Sequence, residues 1–227
     1  MRTLDPANIR ADFDSALADI GTSIATSEER IDTVPPRKLI SEYAFVAAAS
    51  LFEGFVSDLF VAYINRDFER FRTHILGQLK IETDDKYAKR AKQFVDTSMR
   101  HLTADQIRDT LDPSQFNVAF PTTGKMKESA GKWLSAADAA RFANLTARQC
   151  AVIDFTKRVR NYLAHRSQSS ENEMQTALVA IDLPAELTRG VSNISDVGAF
   201  LRATQGEQSR LLHFLDAQSD LAIQLCP

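Results

Sequence analysis

Apolar residues recur every three to four positions along most of the 227-residue chain, the spacing that is typical of amphipathic helices. Asp5 and Pro6 supply an N-cap and a first-turn proline for a helix that extends to about residue 30. After a break at residues 34–36, a second helix is predicted over about residues 37–79, with an interruption near residues 65–67. Its first half is apolar on nearly every side, which predicts a position at the centre of a helical bundle.

Shorter helical segments follow, separated by breaks. They are predicted at about residues 84–102, 135–144, 145–166 and 207–225, with a short turn or helix at 103–111. The stretch 112–133 holds two Pro and two Gly and is predicted to be an irregular insertion, with a short strand at 116–120. Two segments keep alternatives: 174–181 is a helix or a strand, and 191–203 starts as a strand or turn and ends as a short helix. The sequence therefore predicts an all-α protein with residues 1–227 in a single domain.

Composition places the chain among soluble globular proteins. Apolar residues make up 44% of it and charged residues 25%, which suffices for a sizeable core. The two cysteines, Cys150 and Cys226, are predicted to be thiols in a reducing compartment. The N-terminus turns acidic before any apolar run, and the most apolar stretch, residues 43–52, is too short to cross a bilayer. We therefore expect a cytoplasmic protein without a membrane segment.

Several classes of enzyme lack their motifs in this sequence. It contains no phosphate-binding GxxxxGK[ST] loop, no GxGxxG dinucleotide fingerprint, no CxxC and no HExxH. The four histidines are far apart in sequence and do not have the spacing of metal ligands. The sequence therefore predicts no metal and no cofactor.

The segment 145–166 carries two distinct helical faces. Thr146 is a good N-cap, and neither Pro nor Gly follows within the segment. The apolar face consists of Val152, Phe155, Val159 and Tyr162. The polar face consists of Asp154, Arg158, Asn161 and His165. This polar stripe is interpreted as a functional site. The alternative is a helix C-terminus at which His165 and Arg166 interact favourably with the helix macrodipole and Asn161 is only solvated.

Positive charge is concentrated around this helix. Residues 122–166 contain nine Lys or Arg and three Asp or Glu, so they carry +6 while the rest of the chain carries −9. Such a segment is either a surface that binds a polyanion or a solvated loop and helix face. The basic residues proposed for polyanion binding are Lys125, Lys127, Lys132, Lys157 and Arg166.

One carboxylate lies inside the apolar central helix. Glu53 is flanked by Phe52, Phe55 and Val56, and an unpaired carboxylate there would be costly. It either forms a structural ion pair with Arg158 or Arg160, or holds a site residue in place. Both interpretations predict that Glu53 lies close to the helix 145–166.

The run Arg160-Asn161-Tyr162-Leu163-Ala164-His165 resembles the R-x4–6-H motif of HEPN-domain ribonucleases, including the polar residue after the arginine. Arg158 would also satisfy the spacing, but only Arg160 is followed by Asn. The long helix containing LFEGFVSDLF, ahead of a motif near the end of a late helix, is similar to the antiparallel helical HEPN bundle, and in particular to its RiboL-PSP-type subgroup. The resemblance covers about residues 39–59 and 145–166, and elsewhere the sequence is only compatible with helices. The fold it implies is a HEPN-like bundle with extra C-terminal helices and the irregular insertion at 112–133.

This resemblance implies a metal-independent endoribonuclease that leaves 2′,3′-cyclic phosphate ends. It implies that Arg160, Asn161 and His165 are catalytic, that Glu53 and Arg158 support them, and that the basic residues bind RNA. Because Arg160 and His165 are about 140° apart on a regular helix, the resemblance also implies a homodimer with a composite site. Toxin and antiphage roles, with an antitoxin or a nucleotidyltransferase as partner, are common among such proteins. The alternatives are a non-cleaving HEPN module that binds nucleotides or a partner, and a helical adaptor.

Overall fold

The structure is a computed structural model that describes residues 4–78, 90, 102–112 and 118–227. These residues are mostly helical, which confirms the all-α prediction, and their only sheet is one short hairpin. The first helices are α1 (Pro6–Arg30), α2 (Val34–Arg66), α3 (Glu69–Gln78), α4 (Ala104–Leu111), α5 (Thr123–Trp133) and α6 (Ala136–Ala143). The later elements are α7 (Ala147–His165), α8 (Gln168–Ala177), a 3₁₀ turn (Ala185–Leu187), α9 (Val197–Arg202), β1 (Thr204–Gln205), β2 (Gln208–Ser209) and α10 (Arg210–Leu225).

The chain divides into two compact units. The first unit comprises Met1–Ile9 and Gly54–Asn144, and the second comprises Arg10–Glu53 and Leu145–Pro227. Helices α1 and α2 contribute residues to both units. That residues 1–227 behave as a single domain stays a prediction.

The first two helices agree with the pattern of the sequence. Helix α1 has the predicted bounds, and the Asp5 side chain caps it by accepting from the backbone N–H of Ala7 at 3.0 Å. Helix α2 begins at Val34, three residues earlier than predicted. Prolines in a first turn cost no helical hydrogen bond, so Pro35 and Pro36 belong to this helix instead of preceding it. The predicted interruption is confirmed, because α2 ends at Arg66 and α3 follows.

The prediction of an irregular insertion over 112–133 is wrong for its second half, which is helix α5. The Thr122 side chain accepts from the backbone N–H of Lys125 at 3.2 Å and caps the helix. Met126 and Ala130 are buried along one face. The cap and this face outweigh the helix propensity lost at two glycines, about 1 kcal/mol each. Residues 118–120 are in neither helix nor strand; 113–117 and most of the predicted helix 84–102 lie outside the described residues.

The first unit is built on an aromatic core and one buried carboxylate. Phe60 packs against Phe120 and Phe142 at ring distances of 4.6 and 4.8 Å. The Asp138 side chain, only 2% exposed, pairs with the guanidinium groups of Arg66 and Arg141. These contacts anchor the C-terminal end of α2 to helix α6.

The core of the second unit joins α2, α7 and α10. The Phe45 ring stacks on Phe214 at 4.2 Å and meets Phe155 edge-on at 5.8 Å. Two segments after α7 had alternative predictions. In 174–181, the structure has the end of helix α8, which stops at Ala177. In 191–203, it has a loop followed by helix α9. The hairpin between β1 and β2 turns at Gly206, whose φ of +66° suits glycine.

Helix α2 is the one described helix that is long and apolar enough to cross a membrane, judged by length and composition only. Its most apolar 18-residue window has a mean hydropathy of 1.6, so the apolar stretch is longer than the predicted 43–52. Of that window, 56% is buried inside the protein. The burial agrees with the predicted central position of this helix.

Gly198, in the first turn of α9, lies directly against the backbone of α2. A β-carbon at this position would lie 2.6 Å from the carbonyl oxygen of Lys38, a backbone atom of α2 that cannot move aside. We expect Gly198→Ala to lower the free energy of unfolding by about 1–3 kcal/mol, measured by urea denaturation. The matched control is Gly21→Ala on α1, where the nearest atom would be 3.8 Å away. That variant should gain about 0.5–1 kcal/mol, and equal effects at the two sites would contradict the packing argument.

Candidate functional site

Helix α7 has well-defined ends. Thr146 and Gln149 form a reciprocal capping box at its start. The helix continues to His165, and Arg166 ends it in the left-handed conformation, with φ 48° and ψ 29°. The N–H of Arg166 donates to the carbonyl of Tyr162 at 2.8 Å. The helix is therefore regular through the whole Arg160–His165 motif, and His165 lies in its last turn.

The Arg160 guanidinium is held from two sides. Its Nη2 forms an ion pair with Glu53 of α2, and its Nη1 donates to the Asn161 side-chain oxygen at 3.2 Å. The Arg160 and Glu53 side chains are 27% and 32% exposed, so the pair is only partly shielded from water. The predicted proximity of Glu53 to this helix is confirmed. The contact fits both interpretations of Glu53, as a structural partner and as a residue that orients Arg160.

His165 is exposed to solvent at the end of α7. It makes no hydrogen bond or ion pair with the part of the chain that the structure describes. The structure brings Glu53, Arg160 and Asn161 together, but it does not bring the Arg160 guanidinium against the His165 ring. On a regular helix Asn161 and His165 are four residues apart and share a face, whereas Arg160 points elsewhere.

Arg158 and Arg166 are both engaged by carboxylates of neighbouring helices. Arg158 pairs with Glu173 of α8, which leaves Arg160 as the partner of Glu53. Arg166 pairs with Glu42 of α2, and its guanidinium lies 5.2 Å from the centre of the Tyr162 ring. Both arginines thus have structural contacts in addition to their predicted roles.

Glu42 of α2 contacts the predicted site residue Arg166 but was not itself predicted from the sequence. Besides pairing with Arg166, its carboxylate accepts from the backbone N–H of Gly198 at 3.1 Å. Glu42 and Glu53 are eleven residues apart, three helical turns, so they lie on the same side of α2. The spacing of these two glutamates within an otherwise apolar helix is the sequence signal that could have identified Glu42.

Lys157 lies one turn before Asn161, in the same charged group. Burial lowers the pKa of its ammonium below the ordinary value, and the nearby charge of Arg160 adds to this effect. The charges of Glu53 and Asp154 act in the opposite direction. Lys157 is therefore a partly desolvated cation close to the Glu53–Arg160 ion pair.

The remaining predicted RNA-binding lysines lie on α5, in the first unit. Lys125 and Lys132 both bind the Glu128 carboxylate, at 2.7 and 2.6 Å. These hydrogen bonds, of which the one from Lys125 has the larger effect, lower the pKa of Glu128 to about 2. The Lys127 ammonium donates to the carbonyl of Ala143 at 3.4 Å. The cationic segment thus divides between the units, and its part on α5 is partly neutralised, as a solvated helix face would be.

Among the described residues, no group of three or more His, Cys, Asp or Glu side chains could hold a metal ion. Comparison with known proteins finds no family model, curated protein or solved structure that matches this chain. A functional interpretation therefore depends on the motif of α7 and its surroundings.

Proposed function

We propose that this protein is a metal-independent endoribonuclease with a HEPN-like antiparallel helical bundle. The observation that carries the proposal is the arrangement on α7. The Asn161 side chain accepts from Arg160, and Asn161 lies on the same face of the helix as the exposed His165, one turn before it. This arrangement offers a charged phosphate ligand and a proton-transfer group within two helical turns.

These residue types suit the cleavage of RNA without a metal. The ribose 2′-OH attacks the adjacent phosphorus atom and loses its proton, the bond from phosphorus to the 5′-oxygen breaks, and that oxygen gains a proton. An imidazole can both accept and donate a proton, so His165 can move one of these protons. The Arg160 guanidinium can donate two hydrogen bonds to the phosphate as its charge grows in the transition state. The products are a 2′,3′-cyclic phosphate and a 5′-OH.

We propose that the complete site is composite and formed by a homodimer. Within one chain the Arg160 guanidinium is directed to Glu53 and lies on a different face of α7 from His165. A twofold axis beside the end of α7 would let Arg160 of one subunit and His165 of its partner act on one phosphodiester. Glu53 would then hold the guanidinium in position, and Arg158 would fix α7 against α8.

The test is incubation of the purified protein with mixed RNA in excess EDTA. We expect fragments with 2′,3′-cyclic phosphate ends at a rate that EDTA leaves unchanged, because no proposed step uses a metal. A variant with His165→Ala, purified in parallel, controls for contaminating nucleases. Loss of cleavage in EDTA, or equal cleavage by the variant, would contradict the proposed mechanism.

A second candidate is a non-cleaving helical module that binds nucleotides or a protein partner. The Glu53–Arg160 ion pair favours it, since a paired guanidinium is what a structural role requires. Nucleotide binding without RNA turnover would identify the HEPN-type binding module. An altered oligomeric state in Arg160 and His165 variants, without any chemistry, would identify an adaptor.

If the protein cleaves RNA, we propose that it acts in the cytoplasm as a toxin or an antiphage effector. Such an enzyme needs restraint in the cell, and an antitoxin would be its partner; a nucleotidyltransferase is the alternative partner. Growth arrest on expression of the wild-type protein, but not of the His165→Ala variant, would support this role.

A further inference from the structure

The N-terminal half of α2 has an exposed apolar face. Leu39 and Tyr43 are 50% and 66% exposed, and Pro36, Ala47 and Ser50 are exposed as well. These five residues follow one another at intervals of three or four, so they lie along one side of the helix. None of them is charged. They form an uncharged strip about 20 Å long, which we call the α2 strip.

Two ion pairs between α2 and α7 lie along one edge of the α2 strip. Glu42 holds Arg166, and Glu53 holds Arg160. Both glutamates are about 80–100° around the helix from Tyr43, on the same side of it. Because the later residue of α2 pairs with the earlier residue of α7, the two helices run antiparallel. The Arg160–His165 motif therefore lies beside the strip.

A second copy of this chain is the occupant that the α2 strip fits. An isologous contact sets identical residues against each other around its axis, where like charges would repel, and an uncharged apolar face avoids this repulsion. A contact between two helices of this length supplies only part of the about 800 Å² per subunit that a stable interface needs. The neighbouring ends of α7 would have to supply the rest, so a dimer built on the strip would include the motif.

Symmetry distinguishes two ways of pairing the strips. A twofold axis parallel to α2 would place the two α7 helices on opposite sides of the helix pair. An axis perpendicular to α2 pairs the helices antiparallel and leaves both α7 helices on the same side. Ala47 lies five residues after Glu42 and six before Glu53. A perpendicular axis at Ala47 therefore brings Glu42 of one subunit level with Glu53 of the other, to within about 2 Å along the helix.

We propose that the homodimer forms by antiparallel packing of the two α2 strips around a twofold axis at Ala47. His165 precedes Arg166, the partner of Glu42, and Arg160 is the partner of Glu53. The pairing therefore brings the His165 end of one α7 level with Arg160 of the other. This inference rests on the proposed ribonuclease function for its consequence, a composite site in which the two residues come from different subunits.

The first experiment places a charge on the α2 strip and measures association by sedimentation equilibrium at micromolar concentrations. We expect the wild type to be a dimer and Leu39→Lys to raise the dissociation constant about a hundredfold or more, because each interface loses two apolar side chains. RNA cleavage should fall with the dimer fraction. The matched control is Ile223→Lys on α10, where the replaced side chain is 51% exposed. It should remain a dimer. Thermal unfolding checks that Leu39→Lys is folded, and Tyr43→Lys replaces it if it is not.

The second experiment tests the axis by disulfide formation under oxidation with diamide. In Ala47→Cys the two new thiols lie at the axis, so we expect a covalent dimer. In Leu39→Cys they lie about 12 Å from the axis on opposite sides, beyond the reach of a disulfide, and the protein should stay uncoupled. A parallel pair would couple at both positions. The wild type, which keeps Cys150 and Cys226, gives the background.

The outcomes separate this inference from the proposed function. A monomeric wild type, a dimer that neither Leu39→Lys nor Tyr43→Lys weakens, or a disulfide in Leu39→Cys overturns the antiparallel dimer. A monomeric wild type that floats with phosphatidylcholine vesicles also overturns it and assigns the strip to a membrane surface. A dimer with the expected disulfide that cleaves no RNA supports the α2 interface and overturns the ribonuclease function.

Discussion

Replacing His165 by alanine is expected to lower the rate of RNA cleavage by a factor of about 10²–10⁴. The imidazole is the group that accepts and returns a proton in the proposed site. Because the side chain is exposed and makes no hydrogen bond with the described part of the chain, the substitution should change the stability of the fold little. We expect a change of at most about 0.5 kcal/mol in the free energy of unfolding. Single-turnover cleavage of a labelled oligoribonucleotide measures the rate, and urea denaturation measures the stability.

The matched control for this variant is His74→Ala on α3, which removes an imidazole from the first unit. It should retain wild-type cleavage. If His165→Ala cleaves as fast as the wild type, proton transfer by this residue is ruled out, and the helical-module interpretation becomes the better one. If both variants lose activity, imidazole loss acts through something other than the α7 motif.

Replacing Arg160 by alanine is expected to lower the cleavage rate by about 10²–10³, the effect of removing one donor group from a developing negative charge. Arg160→Lys should not restore it, because an ammonium lacks the planar fork that a phosphate and Glu53 can share. The alanine variant also leaves the Glu53 carboxylate without its guanidinium, at a cost of about 1–3 kcal/mol in this partly exposed setting. Adding Glu53→Gln should recover stability but not cleavage. Recovery of both would assign Arg160 a structural role alone.

Mixing the two inactive proteins tests whether the site is shared between subunits. In a dimer with one Arg160→Ala chain and one His165→Ala chain, one composite site keeps both its arginine and its histidine. After random exchange of subunits, we expect about a quarter of wild-type activity to return. The control is each variant mixed with itself, which should stay inactive. No recovery, with exchange confirmed by native mass spectrometry, would place both residues in the same chain.

Local signals were sufficient for several elements of the fold. Asp5-Pro6 and Thr146 mark the starts of α1 and α7, and apolar periodicity carries both helices to their observed ends. The sequence pattern does not predict helix α5, because its two glycines and the flanking prolines are typical of an irregular segment and conceal the cap at Thr122. Whether a glycine is tolerated depends on what the other side chains of the helix bury, and Met126 and Ala130 find their partners only in the folded unit.

The candidate site could be predicted in its residues but not in its contacts. Helical spacing was enough to place Asn161 and His165 on one face, and an isolated carboxylate in an apolar helix was enough to expect Glu53 near α7. The choice of Arg160 over Arg158 as its partner was not predictable, because the sequence does not show which side of α7 faces α2; in the structure Arg158 pairs with Glu173 of α8. The sequence also does not show that Glu128 pairs with both Lys125 and Lys132, because these two short ion pairs depend on side-chain geometry at spacings of three and four residues.

The left-handed turn at Arg166 determines how much freedom the preceding ring retains. Arg166 ends the helix and is fastened by its own backbone bond and by Glu42, so the main chain at His165 is fixed while the imidazole is not. Rotation about two side-chain bonds breaks no hydrogen bond within the described chain. In the proposed ribonuclease, such a ring would be free to swing between an attacking and a departing oxygen, and the RNA would select which ring nitrogen carries the hydrogen.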